Sequence, residues 1–185
     1  MHFIFKILKK IISVIRSLKF YCYVKICGGK IIGLPRVGEK VIWKYPPHSG
    51  ISIGKNFDIG HNCFLEVPKG ANLNIGDNVK LTHSVTISCL NYIEIGNDTL
   101  IAEFCSIRDS THNIKLNSLI RHQQAIKGMI KIGNDVWVGR NTSIFNDVTI
   151  NDGCVIGANS LCSKNSYVKN TINVGIPCSY LKNRI

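Results

Sequence analysis

From Ile132 to Ser166 the chain repeats in sixes. Ile132, Val138, Ile144, Ile150 and Ile156 fall six apart, and Cys162 and Val168 continue the series. Two residues before each later member stands a smaller or β-branched residue: Val136, Thr142, Val148, Cys154, Ser160 and Ser166. A helix would space its apolar residues by threes and fours, and a simple amphipathic strand would alternate them by two. Here each unit is a short β-type piece followed by Gly, Asn or Asp, residues that accept tight turns. Three such units close a triangle of about eighteen residues. One aliphatic per side points inward, and the next coil stacks about 4.8 Å away. The pattern predicts a parallel β-helix in which each coil touches only its neighbours. A β-sandwich with turns roughly every 8–12 residues would not hold this phase.

The same period runs upstream with interruptions. Ile53, Ile59 and Leu65 are in phase, and an insertion at Pro68-Lys69-Gly70 breaks it. Ile75, Leu81 and Ile87 resume it, extra residues near Asn91 shift it again, and Ile95, Ile101 and Ile107 form a further coil closing at His112. Trp43, Pro46, Pro47 and Gly50 predict a distorted first coil. About five regular coils are expected, enough for a stable stack. Residues 113–131, with Arg121, His122 and two glutamines, are too long for a corner and are expected to leave the body as part of a binding cleft. Residues 29–185 form the β-helix domain, with 169–185 as its tail.

Residues 1–28 read differently. Ile4, Leu8, Ile11, Ile15 and Leu18 lie on one helical stripe, with Lys6, Lys9, Lys10 and Arg16 on the opposite arc. The first acidic residue is Glu39. No small-residue cleavage site follows the apolar run, and Lys9 and Lys10 interrupt it well short of a bilayer span. Two readings stay open. Residues 1–20 can lie on an anionic membrane as a basic amphipathic helix, or the helix can pack on the solenoid or a sister subunit. Either way it would cover the open end of the solenoid.

Formal net charge is +12, with 45% hydrophobic and 18% charged residues. Such a balance suits nucleic acid, an anionic membrane or a phosphorylated ligand. No sheet interleaves aromatic and basic residues, so nucleic acid is not expected. The eight cysteines form no C-x-x-C pair, which argues against a zinc ribbon. Cys63, Cys105, Cys154 and Cys162 occupy inward positions and read as small core residues in a reducing compartment. His83, His112 and His122 lack the spacing of a shared metal site, so no metal is expected.

His112 stands where a rigid coil gives way to the long loop, in RDSTHN. An imidazole there can take a proton from a hydroxyl or amine near neutral pH. Asp109 could orient it or equally cap the turn.

The repeat, the DSTHN-to-loop transition, IGNDVWVG, VTINDGCVIGANSLCSKNS and VGIPCSYLKNRI together resemble the hexapeptide-repeat acyltransferases over roughly residues 51–185. The resemblance is to the maltose/galactoside and capsule/lipopolysaccharide O-acetyltransferase group. It implies a left-handed β-helix, a homotrimer with active sites between subunits, and direct transfer from acetyl-CoA. It implies His112 as general base and Trp137 as a wall beside the pantetheine and acceptor. Gly139 and Ala158 match small residues along the pantetheine, and Ser163-Lys164 matches a pair near the nucleotide phosphates. Arg140 and Arg184 are expected to add donor-side contacts, and the backbone around Gly139-Arg140 to hold the oxyanion. Thr82 stands where sugar O-acetyltransferases often carry an asparagine, so Thr82 and His83 are expected to contact the acceptor.

The expected function is acetyl transfer to a hydroxyl of a sugar or polysaccharide precursor, in the cytoplasm and at the inner face of the membrane. Another acceptor (serine, an amino sugar nitrogen, an antibiotic) and a non-catalytic scaffold are the alternatives.

Overall fold

The computed structural model describes residues 2–163 and 166–185. One helix, α1 (His2–Ile26), precedes a parallel β-solenoid of about six turns whose strands form three faces. The first face stacks Lys30–Ile31, Ile51–Ile53, Asn72–Ile75, Tyr92–Ile95, Met129–Ile132, Val148–Ile150 and Ser166–Tyr167. The second runs from Arg36–Val37 through Leu100–Ile101, Trp137–Val138 and Val155–Ile156 to Thr171–Val174, where Ser179–Asn183 adds an antiparallel edge. The third runs from Ile42–Trp43 through Phe64–Glu66, Thr86–Ser88, Ser106–Arg108 and Ser143–Ile144 to Leu161–Cys162.

In-phase aliphatics sit directly above one another. Ile53, Ile75, Ile95, Ile132 and Ile150 pair in register on the first face, and all are buried. Equivalent residues are 22 apart in the early coils, then 20, then 18. The tightest period is therefore at the end where the hexads are most regular.

Corners explain the Asn and Asp content. Asn56, Asn78, Asp98 and Asp135 turn the chain from first to second face with positive φ. Asn and Asp tolerate that left-handed region better than most residues. Their neighbours form a ladder: Lys55 N–H donates to Asp77 Oδ1 at 2.9 Å, Asp77 N–H to Asn97 Oδ1 at 2.7 Å, and Asn97 N–H to Asn134 Oδ1 at 2.8 Å. Corner amides that the sheets cannot reach are thus satisfied by the next coil.

Three expectations are corrected. The first coil is regular rather than distorted, because residues 30–43 pair in register with the coil above, and the solenoid has about six turns in all. Regular strand returns at Met129, not Ile132, and Ile130 is buried under Val148. Val168 does not continue the hexads. One fewer residue in the last coil pairs Tyr167 with Ile150, so Tyr167 turns inward while Val168 and Ser166 are exposed.

Phe20 and Val24 of α1 are buried on the first coil, with the Phe20 ring 5.8 Å from Trp43 and 6.4 Å from Phe57. The helix covers that end of the stack, as expected, but only with its second half. Among the described residues no helix is long and apolar enough to cross a membrane. Cys63, Cys89, Cys105, Cys154 and Cys162 are buried thiols outside any disulfide, and Cys178 is buried as well.

Candidate active site

His112 follows a two-residue strand, Ser110–Thr111, that pairs antiparallel with Ile126–Lys127. This ribbon is the neck of the excursion. Beyond it a 3-10 turn, Ile120–His122, folds back, and the Gln123 side chain ties the loop to itself. Its Nε2 donates to the Lys115 and Ser118 carbonyls, and its Oε1 accepts from Lys115 N–H. His112 is exposed at the lip of a groove of about 460 Å³. Glu66, Arg108, Ser110, Thr111 and Phe145 line it with His112.

Asp109 resolves the choice left open by the sequence: it caps a turn. Fully buried, its carboxylate accepts N–H bonds from Leu90 (2.7 Å), Asn91 (2.8 Å) and Tyr92 (2.8 Å). Its backbone carbonyl takes the Gly128 N–H at 2.7 Å. Both ends of the excursion are therefore anchored to one residue three positions before His112.

The groove wall includes a polar ladder that sequence reasoning missed. Lys44, Glu66, Ser88 and Arg108 occupy equivalent outward positions on the third face. Lys44 Nζ binds Glu66 Oε1, Ser88 Oγ donates to Glu66 Oε2 at 2.8 Å, and Arg108 Nη1 donates to Ser88 Oγ at 3.2 Å. Burial raises the Glu66 carboxyl, but the Lys44 and Ser88 hydrogen bonds outweigh it and hold it below its ordinary range. The Glu66 hydrogen bond pushes Lys44 up. The signal was the 22-residue interval from Lys44 to Glu66 to Ser88, visible only once the coil length is known.

The other donor-side and acceptor-side candidates lie elsewhere. His83, Phe104, Arg140 and Ala158 are exposed on successive coils at the corner between second and third faces. The His83 ring meets Phe104 edge-on at 5.2 Å, and the Arg140 guanidinium lies 5.4 Å over the same ring. Arg140 Nε also pairs with Glu103 at 3.6 Å. Phe104 holds φ 61°, unusual for a bulky residue, and was also missed. Thr82 points its buried, unpartnered Oγ1 away from solvent, while its backbone carbonyl takes the Cys63 thiol at 3.0 Å. Trp137, 53% exposed, stands on the second face between Leu100 and Val155.

Gly139 is small because the coils demand it. A Cβ there would lie 2.7 Å from Ala158 N and 2.8 Å from Ile156 O. Its N–H donates to Ile156 O at 2.7 Å, so that amide is already engaged. Ser163 is exposed just past Cys162, and Lys164 lies outside the described residues. Arg184 sits at the other corner, where Nη1 binds Asp135 Oδ2 at 2.8 Å and the Gly153 carbonyl at 3.2 Å.

Within one chain, then, the groove of His112 contains none of Trp137, Gly139, Arg140, Ala158, Thr82 or His83. The third face separates the two sets. No cluster of three or more metal-ligating side chains occurs among the described residues.

Comparison with known proteins places this architecture. Residues 129–164 match the model of the bacterial transferase hexapeptide, six repeats. A "Probable acetyltransferase" of Mycobacterium tuberculosis is 33% identical over 91% of this chain and 56% of its own length. A "Putative lipopolysaccharide biosynthesis O-acetyl transferase" of Escherichia coli K12 is 30% identical over 71% of each chain. The chain thus spans just over half of the mycobacterial relative. An N-acyltransferase, AntD, from Bacillus cereus, crystallised with dTDP-4-amino-4,6-dideoxyglucose and coenzyme A, superposes with a TM-score of 0.73 at 23% identity, over 87% of this chain and 86% of that one. It shares the fold. The repeat, the three-faced solenoid and the 30% relative establish the class: this chain belongs to the hexapeptide-repeat acyltransferase family. Within that class it is similar to acetyltransferases of sugars and lipopolysaccharide.

Proposed function

We propose that this chain is an acetyl-CoA-dependent O-acetyltransferase acting on a sugar or polysaccharide precursor. The observation that carries the reading is His112 at the lip of a groove lined also by Glu66, Arg108 and Phe145, held by a ribbon anchored on Asp109. The family relation supports it, and the E. coli relative is an O-acetyl transferase by name. AntD's complex with coenzyme A supports the donor.

In this reading the acceptor lies in the groove with its hydroxyl against His112. The imidazole takes the hydroxyl proton as the oxygen attacks the thioester carbonyl. The oxyanion accepts the Arg140 N–H, since the Gly139 N–H is committed to Ile156 O. Collapse breaks the C–S bond, and the imidazolium returns its proton to the departing thiolate. No cysteine carries the acetyl group. Burial pushes the Cys105 thiol up to about 11 and, with the Asp109 charge beside it, Cys89 up to about 12.

His112 and the corner of Trp137, Gly139, Arg140 and Ala158 need a second copy to meet. We infer a homotrimer in which the corner of one subunit faces the His112 groove of the next. Leu100, Trp137 and Val155 form an outward apolar ladder on the second face for the pantetheine arm. Arg108 is the groove's cation for the acceptor, and the exposed His83 is kept as an acceptor contact, whereas the buried Thr82 hydroxyl is turned away from it.

Thiol release from acetyl-CoA, measured with hydroxyl and with amine acceptors, tests this. Hydroxyl acceptors should drive release, and His112→Ala should lower turnover by about 10²–10⁴-fold. Full turnover in that variant removes His112 as the base. Release with amine acceptors alone reassigns the reaction to N-acetylation, and release with neither leaves a scaffold.

A further inference from the structure

We propose that the outward side of α1 docks this chain onto an anionic lipid surface. Helical spacing divides α1 into two sides. Ser17, Phe20 and Val24 are buried on the first coil. Leu8, Ile11, Ile15 and Leu18 recur at threes and fours on the opposite side, each close to half-exposed. Ile7, Ile12 and Val14, also exposed, widen that stripe.

The cations complete the pattern. Lys6, Lys9 and Lys10 fall on the same side as Ser17, Phe20 and Val24 but lie before the packed stretch, and all three are exposed. The helix thus turns an apolar side away from the body and keeps its lysines at the level of the body. An interfacial helix buries such a stripe at the headgroup–acyl boundary with its basic side in the headgroups. Beside it Arg16, Lys19 and Lys40 surround a groove of about 360 Å³ floored by Phe20, Tyr23 and Trp43. Cations over an aromatic floor suit a phosphate headgroup at the margin of the stripe.

Two observations favour lipid over a second copy of the helix. No acidic residue precedes Glu39, so pairing helices would bring like charges together without a complement. The stripe is also broader than a two-position seam. Ile7, Ile12 and Val14 stand where a coiled coil places charged partners. This inference is independent of the reaction.

The test is co-sedimentation of the full chain with phosphatidylcholine vesicles, with and without phosphatidylglycerol. Binding is expected only to the anionic vesicles, weakening as salt rises. Ile11→Glu/Ile15→Glu, on the side away from the core, should abolish it while circular dichroism and the thermal midpoint stay unchanged. Lys9→Gln/Lys10→Gln should lower the partition coefficient by about 25-fold, at about fivefold per lysine. Equal binding to neutral vesicles, or undiminished binding by the glutamate variant, overturns the proposal. So does a glutamate variant that instead converts a larger assembly in solution to a smaller one, which assigns the stripe to a second copy.

Discussion

The His83 ring meets the Phe104 ring edge-on at 5.2 Å, one coil apart, at the corner between the second and third faces. Phe104 makes that contact from a left-handed backbone, where the equivalent corner residues are Asn62, Ser84, Asn141 and Asn159. For an L-residue with a bulky side chain that conformation costs roughly 1–2 kcal/mol.

Phe104→Asn separates fold from function at this corner. Relief of backbone strain gains about 1 kcal/mol. Loss of the exposed ring contact with His83 and the cation–π contact with Arg140 costs about the same. Thermal unfolding should therefore shift little. If the column serves the donor, the KM for acetyl-CoA should rise severalfold. A variant with unchanged KM would leave Phe104 a mere corner residue.

Asp109→Ala should be among the most destabilising single changes in the chain. It leaves three backbone N–H groups at Leu90, Asn91 and Tyr92 without their acceptor, at about 1–3 kcal/mol for each one that stays buried. Denaturant unfolding should show a loss of about 3 kcal/mol or more. Amides at 90–92 should exchange faster, while the Gly128 N–H keeps its bond to the backbone carbonyl of residue 109.

The Lys44–Glu66 pair gives a pH signature. Glu66 is held below its ordinary carboxyl range, so its contribution is present at neutral pH and is lost as pH falls through its folded-state value. Lys44 is pushed above 10.5, so its contribution is present below that value and is lost as pH climbs past it. Thermal midpoints of the native chain and of Glu66→Gln should differ across the neutral range and converge in acid. The effect is small, since the Lys44 side chain is 47% exposed. A constant offset down to the most acid pH would refute the pair's role.

Gly139→Ala tests whether coil contact or ligand contact demands the glycine. With its Cβ 2.7 Å from Ala158 N, the variant should lose about 1–3 kcal/mol through forced separation of two coils. Calorimetry on the free chain detects this without any substrate. An unchanged midpoint would return the demand to the pantetheine.

Most of the solenoid was legible because its core is periodic. Ile132, Val138, Ile144, Ile150, Ile156 and Cys162 are all buried where the sixes put them, and the upstream series from Ile53 to Ile107 behaves likewise. The period failed at Val168, where one missing residue changed the register and Tyr167 took the inward place. The site was legible only in pieces. His112 could be singled out at the departure of the loop. Glu66, Ser88 and Phe104 could not, because their meaning depends on which residue of the next coil lies above them.

The sequence by itself determined the repeat, the three-faced coil, the excursion after His112 and the basic amphipathic character of α1. Each is a local pattern: an inward aliphatic and a turn residue at fixed spacing are enough to specify a coil. Only the tertiary structure decided the partners. It gave Asp109 to the amides at 90–92, bound Arg184 to Asp135, and separated His112 from the Trp137–Arg140 corner by the width of a face. The physical reason is that stacking acts across coils. A change of one or two residues in coil length alters every outward neighbour, while each inward aliphatic needs only to be apolar and in phase.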